Sequence, residues 1–577
     1  MFILLLLVYL VSSINAASIV SRSQSHPLSQ PAVLGPKTRI TIGNKVIAPD
    51  GFERPATVVN GIFPGPLIAA QKGDDFAIEV VNELKDESMF KSTSVVSITQ
   101  LSMLSLIDLV YCSTGTVSSK MGRIMPMGHH SSHNAPLRKT TLFYILSPLR
   151  TRQAPSGIIV IIPSNMKCDG LRGPLVIYDP HDPLAHMYDV DDASTVITLS
   201  DWYHVVAPVL RHIIGTTANS SLINGLGRYA GGPMSELAVI SVEQGKRYRM
   251  RLVSTSCDPN FYFSIDGHNL TVIEADGQLT EPLLVDELRI FAGQRYSVVL
   301  VADKPVDNYW IRNLPDIVHA SYEGGTNSAI LRYQGAPDVD PTTVNTTSAN
   351  PLKETDLHAL INPGAPGIPE YGKADINLNL SVTSEGGIFY VNNGVSNVTF
   401  QPPNVPVLLQ ILSGAQEPSQ LLPNGSVIVL EANKVVELTL STTGAGGPHP
   451  IHLHGHSFDV VQSAGSKTFN YANPVRRDVV SAGSRGEHMV IRWTTDNSGP
   501  WFLHCHIDWH LDAGFAAIMA ESPSDTRAHL NTVPQEWHQL CPIFDSLTPT
   551  QLGGGGRESY QEASSITTLL FPPSPLP

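Results

Sequence analysis

His504-Cys505-His506-Ile507-Asp508-Trp509-His510 places one thiol and three imidazoles within seven residues. On a strand, successive side chains point to opposite faces. His504 and His506 then face one way and Cys505 the other. A metal held by Cys505 would sit one residue from a second metal group held by the two histidines, with the backbone joining them. A second stretch lies upstream, His449-Pro450-Ile451-His452-Leu453-His454-Gly455-His456. If it is extended, His452 and His454 share a face and His449 reaches elsewhere.

One thiolate with two imidazoles and a weak or absent axial ligand favours copper of the blue type. Zinc fits less well, because its structural sites are closed sets such as Cys₄ or Cys₂His₂ and only one Cys occurs here. A single histidine-rich stretch is more often solvated surface or a satisfied core group. Two stretches at this spacing argue against that reading.

Short β-branched runs, such as Thr195-Val196-Ile197-Thr198-Leu199 and Tyr296-Ser297-Val298-Val299-Leu300-Val301, alternate with turn residues in a chain of 577 residues with 45 Gly and 44 Pro. This is the pattern of β-sandwiches, and the fold class expected is all-β. The net charge is −14, from 37 basic and 51 acidic residues. No basic block stands out, which disfavours nucleic-acid binding. Residues 2–10 are almost wholly apolar and lead to Ala16-Ala17, the form of a signal peptide over 1–17. That run is too short for an ordinary membrane span. Asn-x-Ser/Thr sites stand at Asn219, Asn269, Asn345, Asn379, Asn397 and Asn424, usable only in the secretory pathway. A secreted, extracellular, glycosylated protein is expected.

The two histidine stretches resemble the C-terminal copper motifs of multicopper oxidases, and the match to fungal laccases of the basidiomycete type is close. The resemblance runs roughly from Thr38 to Thr93 and from Cys168 to Leu547. It includes Val58-Val59-Asn60-Gly61 before Phe63-Pro64-Gly65-Pro66, Cys168-Asp169-Gly170-Leu171-Arg172-Gly173, Ser200-Asp201-Trp202-Tyr203-His204 and Cys257-Asp258-Pro259-Asn260. It implies three consecutive cupredoxin-like Greek-key domains, over 18–182, 183–350 and 351–547, with a disordered tail at 548–577. It implies four coppers. His449, Cys505 and His510 would hold the type-1 copper, with the non-coordinating Phe515 as axial neighbour and hence a relatively high potential. His452 would be a type-2 ligand, and His454, His504 and His506 type-3 ligands. Cys168 and Cys257 match a family disulfide. Asp258 matches the acid that accepts a phenolic proton, although an Asx-turn before Pro259 would also explain it. The implied activity is one-electron oxidation of phenols coupled to reduction of dioxygen to water, by a monomer. A ferroxidase- or ascorbate-type oxidase is the alternative enzyme. A cupredoxin with only the type-1 copper is the non-catalytic alternative.

The chain departs from the family in its first domain. Two His-x-His motifs, HWHG and WYHSH, are missing, and residues 94–167 do not read as cupredoxin strands. His129, His130 and His133 have the wrong spacing. A reading-frame fault accounts for this. Shifted in phase, the codons of Ser113 to Pro136 can read HWHGFFQDGTNYADGPSFVTQCP. Met121, Met125 and Met127, each with one codon, force Gly, Ala and Gly where the family has them. Leu149 to Ile161 can read PDQAGTFWYHSH. Residues 96–112 plus two bases have the form of a retained intron whose length is not divisible by three. As written, the chain lacks four of the family's ten ligand histidines and is expected to be inactive. Of the remaining cysteines, Cys112 falls inside that insert and Cys541 matches a half-cystine whose partner lies in the shifted frame.

Overall fold

The computed structural model describes residues 33–74, 76–84, 167–210, 216–316, 321–322, 325–403 and 407–529. The expected signal peptide, residues 94–166, Cys112, Cys541 and the tail lie outside the described residues.

Among the described residues the regular structure is almost entirely strand. The α-helices are short: Ala207–Leu210, Val407–Leu412, Asp508–Asp512 and Pro523–His529. No described helix is long and apolar enough to cross a membrane. Among the described residues, strands pair only within three successive stretches of chain. In the first, Lys37–Ile47 lies between Arg54–Val59, antiparallel, and Ala77–Asn82, parallel. Ile68–Gln71 pairs there with Leu175–Tyr178. The second, from Val196 to Tyr333, builds a five-stranded and a six-stranded sheet with two small ribbons. The third, from Ile376 to Glu521, builds a seven-stranded and a five-stranded sheet.

Local sequence explains these strands. Arg295–Val301 ends in the apolar run Val298-Val299-Leu300-Val301 and is buried along almost its whole length. Asn308–Pro315 buries alternate residues, as a strand with one open face does. Asp276-Gly277 joins Leu270–Ala275 to Gln278–Val285 as a two-residue hairpin, with φ of 47° and 80°. Both values are positive, the type I′ geometry that Asp-Gly favours. This turn also serves an interface. The Asp276 carboxylate accepts from Arg477 Nε (2.9 Å) and from the Val479 amide (3.2 Å), both in the third stretch. Arg295 in turn makes a bidentate pair with Asp478 at 2.6 and 2.7 Å. One apolar core runs across both stretches, from Leu288 and Ile290 to Ile451, Leu453 and Cys505.

Candidate metal centre

The edge-to-edge register of two strands places the metal-binding side chains. Pro450–Leu453 pairs antiparallel with Gly499–Cys505, with Ile451 opposite Cys505 and His452 opposite His504. The pleat therefore gives His452 and His504 one face and Cys505 the other. His454 and His506 follow their strands and join the first face. The ring centroids of His452 lie 4.6 Å from His454, 5.6 Å from His504 and 5.8 Å from His506. His454 Nε2 and His504 Nε2 stand 3.1 Å apart. His452 Nδ1 meets the Asp478 carbonyl and His504 Nδ1 the Cys505 carbonyl, both at 2.8 Å. A carbonyl only accepts, so each Nδ1 carries the proton and each Nε2 keeps its lone pair for a metal. Burial holds His452, His504 and His506 far below the usual imidazole range, in the neutral ligating form.

On the other face, the short helix Asp508–Asp512 turns the chain back so that His510 meets Cys505 and His449. Cys505 Sγ is 3.8 Å from His449 Nδ1 and 3.7 Å from His510 Nδ1, and the two nitrogens are 3.1 Å apart. The centre of that triangle is about 2.1 Å from each corner, close to the bond lengths of about 2.0 to 2.3 Å that nitrogen and sulfur make to a borderline metal. His449 Nε2 donates to the Ala445 carbonyl (3.2 Å), which frees its Nδ1. Burial raises the Cys505 thiol well above its ordinary range and lowers His510. A thiolate there is stable only beside a cation. The donor set therefore fits copper.

Phe515 closes this group on one side. Its ring lies 5.2 Å from His449 and stacks on Phe389, which is 4.6 Å from His510. The Phe515 carbonyl accepts from the Cys505 amide at 3.1 Å. Its side chain offers no donor atom.

Asp258 is half-buried beside this region. Burial, with the carboxylates of Asp201 and Asp508 nearby, pushes it up to about 7. Asp201 fixes the local backbone, accepting from the Cys257 and Asp258 amides at 3.0 and 3.2 Å and from the Tyr203 hydroxyl at 2.8 Å. Cys168 and Cys257 form the expected disulfide. The Cys257 carbonyl accepts from the Asp508 amide at 2.8 Å, which links Asp258 to the Cys505–His510 segment.

His456 stands apart from both groups, 2.7 Å from Glu521 and packed against Trp493 and Trp501. Asn269, Asn345, Asn379, Asn397 and Asn424 are exposed, whereas Asn219 is half-buried and accepts from the His204 amide at 2.7 Å. Sequence reading missed Phe389, Ala445, Asp478 and Lys167. Phe389, Asp478 and Lys167 reach the centre from remote chain, Ala445 lies four residues before His449, and no motif marks any of them.

Three multicopper oxidase family models match residues 41–100, 193–336 and 400–525. Laccase-5 of Trametes villosa is 50% identical over 536 residues, covering 90% of this chain and 95% of its own. The laccase of Pycnoporus cinnabarinus is 50% identical over 528 residues, covering 90% and 96%. This chain belongs to the laccases of the multicopper oxidase family. Its fold is three cupredoxin-like domains, and copper is its cofactor. The crystal structure of the Botrytis aclada laccase superposes with a TM-score of 0.70 at 26% identity, covering 90% of this chain and 94% of that one. The first family match ends at residue 100, inside the stretch 94–167 that departs from the cupredoxin pattern.

Proposed function

We propose that the residues of this centre serve phenol oxidation by dioxygen, the laccase reaction, on domains divided near residues 182 and 350. The triangle of Cys505, His449 and His510, one peptide step from the four-histidine group, carries this reading. His449, Cys505 and His510 would hold the type-1 copper. His452 would hold the type-2 copper, and His454, His504 and His506 the type-3 pair. Bound copper supplies the one-electron acceptor at the first group and the store of electrons for dioxygen at the second. Phe515 adds no fourth donor, which favours a high potential. His510 is half-buried and gives a substrate ring an edge to approach. Asp258 accepts the phenolic proton, and its loss makes the ring easier to oxidise. The exposed Asn-x-Ser/Thr sites and the apolar leader favour a secreted, glycosylated monomer acting on small phenols.

The sequence of 94–167 favours a narrower reading of the chain as written. It lacks the first-domain His-x-His motifs, so the chain holds the type-1 copper and does not reduce dioxygen. Phenol-dependent oxygen uptake tests both readings. The chain as written is expected to show none. A version carrying the shifted-frame sequence in that stretch is expected to consume oxygen faster with a methoxyphenol than with Fe²⁺. A restored version that prefers Fe²⁺ or stays inert overturns the laccase reading.

A further inference from the structure

Lys167 is fully buried, 2.9 Å from Asp508 Oδ2, 3.1 Å from the Ser256 carbonyl and 3.5 Å from His506 Nδ1. An ammonium has three hydrogens and no acceptor. The carboxylate and the carbonyl each take one, and His506 Nδ1 lies within reach of a third. With an ammonium hydrogen on its Nδ1, His506 would carry its own proton on Nε2. This is the reverse of His452 and His504, whose Nδ1–H groups donate to carbonyls.

We propose that Lys167 opposes metal binding at His506. Binding through Nε2 requires the ring proton to move to Nδ1, where it would face the ammonium hydrogens. Binding through Nδ1 sets the metal cation against the ammonium. Lys167 has no room to withdraw, because Asp508 and the Ser256 carbonyl hold it and the neighbouring Cys168 is tied to Cys257. A hydrogen-bond partner behind a metal-ligating histidine shifts metal affinity by about ten- to a hundredfold, and a donor in place of an acceptor shifts it downward. The four-histidine group of this chain is thus handicapped by Lys167, the last residue of the stretch 94–167, as well as by what that stretch lacks. The inference rests on reading that group as a metal site.

The test is copper(I) titrated against a chromophoric chelator into the copper-free full chain and into the double variant Lys167→Met/Asp508→Asn. Removing both partners avoids stranding a buried carboxylate. The variant is expected to bind copper at the histidine group about ten- to a hundredfold more tightly, while both proteins develop the same blue band on oxidation. Equal affinity with the blue band intact overturns the inference. Copper uptake limited to the blue site in both proteins overturns the reading of the histidine group as a metal site. Independently, ¹⁵N-histidine NMR of the copper-free chain is expected to place the His506 proton on Nε2. A proton on Nδ1 contradicts the proposal without any variant.

Discussion

Cys505 gains its chemistry from burial and from two imidazole nitrogens within 4 Å of its sulfur. Serine in its place keeps the size and loses the soft donor. Cys505→Ser is expected to abolish the blue absorption while leaving the far-ultraviolet circular dichroism unchanged. Asp258 gives a second expectation. Its carboxyl is pushed up to about 7, so it is mainly protonated, and unable to accept, below that pH. The rate with a phenol, divided by the rate with a one-electron donor that carries no acidic proton, should rise about tenfold per pH unit toward 7 and then level off. Dividing the rates removes pH effects common to both substrates. In Asp258→Asn the ratio should be flat. The rate measurements use a chain with the first-domain segment restored, since they require turnover.

The strands and turns that carry these side chains were partly legible in the sequence. The spacing of His452, His454, His504 and His506 is local, and a pleat with period two converts it directly into a shared face. The return of His510 to Cys505 was implied only by the family resemblance, since a period-two pleat does not predict the short helix that makes it. What sits behind each imidazole was not legible, because Asp478 and Lys167 arrive across the sheet or between domains, and Ala445 through a loop that no motif marks. The clearest case is the link from Arg295 through Asp478 to His452. The Arg295 fork holds the Asp478 carboxylate, and the Asp478 carbonyl accepts from His452 Nδ1. Arg295→Met leaves a buried carboxylate uncompensated and should cost about 3 to 5 kcal/mol. It should also loosen copper at His452 more than at Cys505, which a purely structural role would not do. Copper release to a chelator from the chain with residues 94–167 restored, followed separately in the blue and non-blue EPR signals, checks this.

Among the described residues, one disulfide and several buried ion pairs, including Arg172–Asp201, Arg295–Asp478 and Arg477–Asp276, tie the three stretches together. The Cys168–Cys257 disulfide joins the first to the second across 89 residues. Constraining the unfolded chain over such a loop contributes about 4 to 5 kcal/mol in the chain-entropy model. Cys168→Ala/Cys257→Ala should therefore lower the midpoint of the first unfolding transition in guanidinium, and an unchanged midpoint would mean the link contributes little. The all-β class and the third domain's metal stretches could be read from sequence because strand alternation and ligand spacing are local signals. The first domain could not, because residues 94–167 carry neither signal. The most direct measurement is copper per chain with the visible and EPR spectra of the polypeptide as written. About one copper, a blue band and no oxygen uptake is the expected result for an intact thiolate site beside an incomplete histidine cluster. About four coppers with oxygen reduction would contradict that account and would require other residues to supply the missing ligands.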